Sequence, residues 1–329
     1  MTLVLTTDAD APDPDVIRRA AAVIRAGGLV AFPTETVYGL GANALSAEAA
    51  GRIFEAKGRP PTNPLIVHIA DVREVLNVAA AWPETAAQLA RTFWPGPLTL
   101  VLPKNPRVPD AVTAGGPTVA VRWPAHRVAV ALIRAAGVPI AAPSANRSTE
   151  LSPTRAEHVL KSLNGRIDMV LDGGPCSGGI ESTVVDVTGD VPRVLRPGLI
   201  TVPMLEAVVG RVEASGGCEP PGSSPARSPG HMRKHYSPRT PLVLADDEDA
   251  AEGIQFEDMK AGRRSIALAH DLITNYQSIS DDPAEYAAEL YAVLHKLDEG
   301  GYDRIVIVMP PDTPEWAGVR DRLTRAAAT

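Results

Sequence analysis

The alternation of apolar and polar positions in the first two thirds of the chain predicts short strands separated by Ala-rich helices. One helix is predicted to begin at Pro14 and to end at Gly27 and Gly28, because Pro favours the first turn of a helix and Gly its end. Its apolar face consists of Val16, Ile17, Ala20, Ala21 and Ile24. Strands are predicted for the runs LVAF from Leu29, LIVHI from Leu65, LTLVL from Leu98, VAVRW from Val119, PIAAP from Pro139, MVLD from Met169 and STVVDV from Ser182. Several runs are apolar throughout, which is typical of strands covered on both faces, so we expect an α/β fold with a twisted, mixed sheet.

The pattern changes abruptly after Arg211, where Gly, Pro and Ser dominate and no apolar periodicity is present. This composition predicts a flexible linker. The linker ends in HMRKHYSPR (231–239), and this group of cations and aromatic rings leaves open a linker that folds over a ligand. We therefore predict a first domain at 1–208, a linker at 209–239 that can cover the active site, and a second domain at 240–329.

The last part of the chain has a β-α-β pattern. Apolar runs begin at Leu242, Ser265 and Arg304, a helix with one apolar face is predicted for 283–299, and VRDRLTRAAA predicts a closing helix. The pattern predicts a small Rossmann-like domain with a parallel sheet. Its first strand is not followed by GxGxxG, so dinucleotide binding is not predicted.

Composition narrows the functional classes. The length of 329 residues suits two domains, and a core built from 45% apolar but only 4% aromatic residues must consist mainly of Ala, Val, Leu and Ile. A net charge of −7 argues against a broad basic surface for nucleic acid, although direct contact with tRNA stays open. A small anionic ligand needs only a few convergent cations.

Cysteine usage and the N-terminal segment indicate the cellular compartment of the protein. Cys176 and Cys218 lie in Gly- and Pro-rich stretches without CxxC spacing, so neither a disulfide framework nor a protein-held metal is expected. The N-terminal segment is acidic where a signal peptide is basic, and apolar runs of membrane-spanning length are absent. A cytoplasmic protein without membrane contact is the simplest expectation.

The segment PTETVYGLGANA (33–44) follows a predicted strand and combines hydroxyl groups with glycines. This combination allows close approach of a small polar ligand, but a tight turn that caps a helix with Thr is an equally good interpretation. In KGRPPTNPLIVHI (57–69), Lys57 and Arg59 suit phosphate recognition, although for most Lys-x-Arg pairs a solvated loop is the better explanation. His68, in the apolar run of that segment, is by itself better explained as a hydrogen-bonded core histidine.

Further polar groups follow other predicted strands. Arg122 ends an apolar strand and needs either a protein carboxylate or a ligand anion as partner, and Thr118, on the preceding Gly-Gly-Pro turn, could lie beside it. The segment APSANRSTELSPT (142–154) is typical of ligand-orienting loops, although Ser152 could instead cap a helix. The remaining candidates are Glu181, Ser182 and Thr183 after a double glycine, and Arg196 before a Pro-Gly turn.

Covalent catalysis has little support in the sequence. GxSxG and GxxxxGK[ST] motifs are absent. Cys176 has no neighbours that would lower its pKa, so a small buried thiol is expected there. The residues therefore predict a site that binds and aligns its substrates.

The segments PTETVYGLGANA, KGRPPTNPLIVHI and APSANRSTELSPT occur in one chain together with FWPGPLTLVL, VAVRWPAH, GGIESTVVDV and LRPGLIT. In this ordered set of motifs the chain resembles the threonylcarbamoyl-AMP synthases. The resemblance covers roughly residues 13–205, the YrdC-like catalytic domain of that family. The segment SPGHMRKHYSP and the β-α-β tail resemble the long form of the family, which has an extra C-terminal domain. Thr149 departs from the family pattern SANxSG, which has glycine at this position.

The resemblance implies condensation of L-threonine, bicarbonate and ATP to threonylcarbamoyl-AMP and pyrophosphate, with Mg²⁺ accompanying ATP. It implies that threonine is bound by Thr36, His68, Arg122, Ala142 and Ser182. It implies that ATP is bound by Arg59, Asn63, Thr118, Ser144, Ser152 and Arg196, with His235 or Tyr236 closing over the nucleotide. Lys57 would lie near the phosphates, and we expect Lys57 and Arg59 to act as electrostatic catalysts. The product would pass to downstream enzymes that transfer threonylcarbamoyl to tRNA.

Two other interpretations are possible. One is an RNA-binding module without catalysis, which the acidic composition disfavours. The other is a carbamoyltransferase of the hydrogenase-maturation type, which needs Cys-rich zinc motifs and further domains that this sequence lacks. The sequence leaves open whether the C-terminal domain supports a lid, docks a later enzyme or adds stability.

Overall fold

The computed structural model describes residues 1–214, 235–269 and 276–328. The described residues form two sheets with helices packed against them, which confirms the predicted α/β fold. The linker segment 215–234, with Cys218 and the cations before His235, lies outside the described residues, as do 270–275 and Thr329.

The larger sheet is mixed. Its strands are β1 (Leu3–Thr6), β2 (Val30–Phe32), β3 (Gly39–Asn43), β4 (Ile66–His68), β5 (Leu98–Pro103), β6 (Thr118–Arg122), β7 (Ile140–Ala141), β8 (Met169–Asp172), β9 (Thr183–Asp186) and β10 (Arg193–Arg196). Their spatial order is β1-β8-β2-β3-β7-β4-β6-β5-β9-β10. The sheet contains parallel pairs such as β4–β6 and antiparallel pairs such as β4–β7, so it is mixed, as predicted.

Helices cover both faces of this sheet. They are α1 (Pro14–Arg25), α2 (Ala47–Lys57), α3 (Val75–Val78), α4 (Glu84–Phe93), α5 (Asp110–Thr113), α6 (Arg127–Ala136), α7 (Ala156–Leu163) and α8 (Val202–Val209), with a 3-10 turn at Val72–Glu74. Alternation along β2 assigns the faces, because Ala31 packs in one apolar core and Val30 and Phe32 pack in another with α1 and α6. Strands buried on both faces explain the continuous apolar runs.

Helix ends follow from their capping residues. The side chain of Asp13, the residue before α1, accepts hydrogen bonds from the main-chain N–H groups of Asp15 and Val16 and so caps the start of the helix at Pro14. Ser46 caps α2 in the same way, and Gly58 ends that helix in the left-handed conformation at φ +61°. This end places Lys57 and Arg59 beside the strands of the sheet.

Two alternatives considered for polar segments are not found. Residues 39–43 of the segment PTETVYGLGANA form β3, so Thr34 and Thr36 precede a strand and do not cap a helix. Helix α7 begins after Arg155 without a side-chain cap, and the Ser152 hydroxyl instead donates to Glu181. Hydroxyl groups in both segments are therefore held by tertiary contacts.

The second sheet is entirely parallel, as predicted for a Rossmann-like domain. It contains β11 (Leu242–Ala245), β12 (Ser265–Ala269), β13 (Tyr276–Ser278) and β14 (Arg304–Val308) in the order β11-β14-β12-β13. Its helices are α9 (Glu248–Lys260), α10 (Pro283–Glu299) and α11 (Ala317–Ala327), with a 3-10 turn at Pro314–Trp316. The proposed domain boundaries stay a prediction.

The two sheet domains share an apolar core. Val37, Leu151 and Ile180 of the first domain pack in one cluster with buried side chains of α10 and α11. The second domain is therefore packed directly against loops that follow the strands of the first. Among the described residues, none of the helices is long and apolar enough to cross a membrane.

Candidate active site

A cavity open to solvent lies where several loops after the strands of the large sheet meet. It is lined by Thr34, Thr36, Val37, Gly39, Arg59, Ile66, His68, Arg122, Ala142, Pro143, Ser144, Glu181, Ser182, Arg196, His235 and Tyr236. Sheet register explains the assembly, because His68 and Arg122 are paired positions on β4 and β6, and β7 beside β4 leads into Ala142. Predicted threonine and ATP residues thus surround one space.

Arg122 is buried and held on several sides. Its Nη2 forms a 2.7 Å ion pair with Glu35 Oε1, and its Nη1 donates to Thr36 Oγ1 at 2.9 Å. Nε donates to the main-chain oxygen of Gly96 at 3.2 Å. Of the two partners considered for Arg122, a protein carboxylate or a ligand anion, the structure shows the protein carboxylate Glu35. Sequence reasoning assigned no role to Glu35, although its place between two threonines was a signal.

His68 and Arg59 line the cavity in different charge states. Burial, with a further contribution from Arg122, lowers the pKa of His68 to about 3, so the imidazole is neutral at physiological pH. Burial also lowers the pKa of the Arg59 guanidinium to about 10, which leaves it charged. Arg59 donates to the main-chain oxygens of Asn63 and Pro64, at 3.2 and 3.0 Å. Both acceptors are uncharged, so these bonds do not neutralise the guanidinium.

Arg196 and Ser182 form a second polar group. The guanidinium of Arg196 donates to the main-chain oxygen of Ser182 at 3.1 and 3.0 Å, and to its hydroxyl at 3.2 Å. The Ser182 hydroxyl shares a 2.7 Å hydrogen bond with Thr99 Oγ1. These bonds fix Ser182 in orientation and bring the Arg196 charge to the cavity.

Lys57 is fully buried behind the cavity wall. Its ammonium donates to the main-chain oxygens of Ser144, at 2.6 Å, and of Asn146, and to Asn146 Oδ1 at 3.3 Å. Burial, followed by the charge of Arg59, lowers its pKa well below the ordinary value. Lys57 therefore holds the loop that carries Ser144, and its predicted catalytic role stays a prediction.

Three predicted ATP residues do not line the cavity. Asn63 is buried on the loop after Arg59, and its side-chain amide has no hydrogen-bond partner among the described residues. Thr118 begins β6 at a half-buried position. The Ser152 hydroxyl donates to Glu181 Oε1 at 2.5 Å. Their roles toward a nucleotide stay predictions.

The described end of the linker reaches the cavity. His235 and Tyr236 are buried, and their rings meet edge to face with centres 4.0 Å apart. Tyr236 has the left-handed φ of +60°, an unfavourable conformation for a side chain of this size. The main chain is held by both domains, since His235 N–H donates to Arg325 and Ser237 N–H donates to Thr149.

Thr149 and Cys176 are two further residues for which the sequence makes specific predictions. Thr149 adopts a φ of +72°, the left-handed region that favours the glycine of the family pattern, and the main-chain turn is nevertheless formed. Cys176 is buried, and burial raises the pKa of its thiol to about 12. It is a protonated core side chain, in agreement with the prediction that it is not a nucleophile.

Comparison with known proteins agrees with the motifs. The family model described as "Telomere recombination" matches residues 22–198, and the model described as "Threonylcarbamoyl-AMP synthase, C-terminal domain" matches residues 200–328. A threonylcarbamoyl-AMP synthase of Bacillus subtilis is 43% identical over 98% of this chain and 96% of that protein. One of Pyrococcus abyssi is 42% identical over 94% of each chain.

A solved structure agrees with the fold. The Pyrococcus abyssi Sua5 structure in complex with L-threonine has a TM-score of 0.94 and 39% identity, covering 99% of this chain and 98% of that one. Sequence and structure agree over both domains. The chain therefore belongs to the threonylcarbamoyl-AMP synthase family, as its motifs predicted.

Proposed function

We propose that this chain condenses L-threonine, bicarbonate and ATP to threonylcarbamoyl-AMP and pyrophosphate in the cavity described above. The observation that carries the proposal is the convergence of Arg59, Arg122 and Arg196 on one cavity together with the hydroxyls of Thr36 and Ser182. The substrates bring a carboxylate and a triphosphate, and convergent guanidinium groups suit both anions.

Threonine occupies the part of the cavity formed by Thr36, His68, Arg122, Ala142 and Ser182. Arg122 exchanges Glu35 for the substrate carboxylate, and the neutral imidazole of His68 can accept a hydrogen bond from the substrate. The related protein of Pyrococcus abyssi has been solved in complex with L-threonine, which supports this assignment.

ATP occupies the part around Arg59, Ser144 and Arg196, with Asn63, Thr118 and Ser152 on the surrounding loops. The side-chain amide of Asn63, which has no partner within the described part of the chain, offers donors and an acceptor to the nucleotide. His235 and Tyr236, which already line the cavity, cover it. Arg59, which lines the cavity, supplies positive charge next to the phosphates as an electrostatic catalyst, and Lys57 supports it from behind the cavity wall. No proton transfer is assigned to either residue.

The reaction requires alignment of two anionic reactants. The threonine amine forms a carbamate, either with bicarbonate and loss of water or with carbon dioxide and loss of an amine proton. A carbamate oxygen then attacks the α-phosphorus as pyrophosphate leaves. Correct alignment of bound reactants contributes about 7–11 kcal/mol to such a step. The guanidinium groups offset the charge that repels the carbamate from the phosphates.

Mg²⁺ belongs to the proposal only as the counter-ion of ATP. Over 1–214, 235–269 and 276–328, no group of three His, Cys, Asp or Glu residues could hold a metal. Glu181, a carboxylate of the cavity wall, is already bonded to Ser152 and Arg322. The residues present therefore do not form a metal site, and no step is assigned to the ion.

The product contains a reactive acyl phosphate anhydride bond and has to be consumed by an acyl-transfer reaction. Downstream enzymes that transfer threonylcarbamoyl to tRNA, in the cytoplasm, fit this requirement. Direct contact of this chain with tRNA is not needed for its own reaction.

The test is pyrophosphate release from ATP, measured with threonine or bicarbonate omitted in turn. Release should require both, and Arg59→Ala should abolish it while the circular dichroism spectrum stays that of the parent. Release without threonine would contradict the proposal. Salt-dependent RNA binding without threonine-dependent turnover would favour the RNA-binding module.

A further inference from the structure

Arg322 of helix α11 extends from the second domain into the wall of the cavity. Only 1% of its side chain is exposed. Its Nε donates to Glu181 Oε2 at 2.7 Å, and its Nη2 donates to the main-chain oxygen of Glu181 at 3.2 Å. Nη1 donates to Pro197 at 2.9 Å and pairs with Asp321 at 2.8 Å. A single guanidinium thus holds both the side chain and the backbone of a residue that lines the cavity.

Glu181 is the centre of a network that reaches both substrate regions. Its Oε1 accepts from Ser152 at 2.5 Å, and its Oε2 accepts from the Tyr291 hydroxyl of α10 at 3.3 Å. The next residue in the chain is Ser182, in the threonine region. A fixed Glu181 therefore fixes the position of Ser182.

Arg322 also contacts the end of the linker. Its guanidinium carbon lies 5.3 Å from the centre of the Tyr236 ring, within the range of a cation–π interaction. Tyr236 lines the cavity and has an unfavourable φ, so it needs contacts that hold it there. Arg322 is one of these contacts.

The charges of this network are ionised and satisfied. Burial acts to raise the pKa of Glu181, but Arg322 and Arg196 outweigh burial and hold it at about 2. Buried ion pairs contribute little net stability compared with apolar side chains of equal size, because desolvation offsets their attraction. What such a pair does supply is a defined geometry, here for groups that face a ligand.

We propose that Arg322 is a positioning residue of the active site, through which the second domain holds Glu181, Ser182 and Tyr236 in the arrangement that the substrates require. The proposal rests on the proposed function of the cavity. It assigns the C-terminal domain a direct part in substrate binding, whereas the sequence left its role open. Arg322 itself does not contact the substrates.

The test compares R322Q and R322K with the matched control R320Q. Arg320 lies on the same helix and bonds to Pro310 and Asp312 within the second domain, so its loss removes a cation without touching the cavity. R322Q should raise the KM for threonine at least tenfold and weaken threonine binding in calorimetry by the same factor. R322K should recover part of this loss, and R320Q should match the parent.

Folded R322Q with the KM and threonine affinity of the parent would overturn the proposal. If R322Q does not fold, the double variant E181Q/R322Q removes both charges and leaves no unpaired buried ion. Its KM for threonine should still rise at least tenfold, and parental values would overturn the proposal. Calorimetry keeps the test independent of turnover: a parent chain that binds threonine but releases no pyrophosphate would refute the proposed function and not the role of Arg322.

Discussion

Arg122 and Glu35 form a buried ion pair beside the cavity, and the pair connects folding with substrate binding. A buried guanidinium without a partner is costly, so the protein needs an anion at this position before threonine arrives. Glu35 supplies it. If the threonine carboxylate takes over Arg122, Glu35 competes with the substrate for the same cation.

We expect Glu35→Gln to bind threonine more tightly than the parent. In the free protein the substitution removes the anion that stabilises Arg122, and in the threonine complex it removes a carboxylate that repels the substrate carboxylate. Both effects favour the complex over the free protein. A gain of about tenfold in affinity corresponds to about 1.4 kcal/mol. Calorimetric titration with threonine measures it, and thermal unfolding without threonine should occur at a lower temperature.

Glu48→Gln is the matched control, because Glu48 is exposed in the first turn of α2 and its removal changes the net charge equally. Its threonine affinity should equal that of the parent. Weaker threonine binding by Glu35→Gln would show that Glu35 supports the substrate and does not compete with it.

Helices α7 and α10 meet through a stacked pair of histidines between the two domains. The rings of His158 and His295 are 3.9 Å apart, and His295 Nε2 forms a 3.2 Å hydrogen bond with the main-chain oxygen of Ser152. Burial lowers the pKa of His158 to about 3 and that of His295 to about 4, with each further lowered by nearby positive charge. Both rings are neutral in the folded protein.

Folding stability should therefore fall as the pH drops below about 6.5. The unfolded chain has ordinary histidines with pKa near 6.5, so between about pH 6.5 and 4 it binds protons that the folded protein does not. Protonation favours the unfolded state in this window and has no effect above it. The melting temperature should be lower at about pH 5 than at about pH 7.5.

His295→Gln should reduce this pH dependence, because it removes one of the two histidines whose pKa is lowered in the folded protein. The quantity to compare between the variant and the parent is the change in melting temperature between the two pH values. The loss of ring packing lowers the melting temperature at each pH and therefore does not affect this change. An undiminished difference would mean that other groups, such as buried His68 and His235, account for it.

At the scale of the whole molecule, glycines allow the two domains to approach closely. A Cβ at Gly179 would lie 2.0 Å from the main-chain oxygen of Ala287 on α10, and one at Gly318 of α11 would lie 3.0 Å from Gly198 Cα. Backbone from the second domain thus touches the loop that carries Glu181. This approach is what lets Arg322 reach the cavity.

Gly179→Ala should displace the second domain and lower threonine-dependent pyrophosphate release at least tenfold. Gly137→Ala is the control: Gly137 has a similar φ, +68° against +71°, but a Cβ there meets nothing within 4 Å. Each variant carries a left-handed alanine, which costs about 1–2 kcal/mol, so only the contact with Ala287 differs. Equal activity of the two variants would contradict the interface; small-angle X-ray scattering measures the displacement.

The regular elements were predictable where local signals were strong. Helix α10 has the predicted bounds, Pro283–Glu299, because Pro in its first turn and one apolar face define it. Strands β1 and β13 were not predicted, since β1 is largely exposed and exists through its pairing with β8, while β13 has three residues at the edge of its sheet. Pairing partners distant in sequence determine such strands.

The sequence by itself determined the α/β class, the strands with continuous apolar runs and the family, because periodicity and ordered motifs are local properties of the chain. Only the tertiary structure decided that Glu35 pairs with Arg122, that Lys57 lies behind the cavity wall, and that Arg322 holds Glu181 from 141 residues away. The apolar pattern indicates which face of a helix or strand is buried. The partner of a buried charge depends instead on how separate elements and domains pack together.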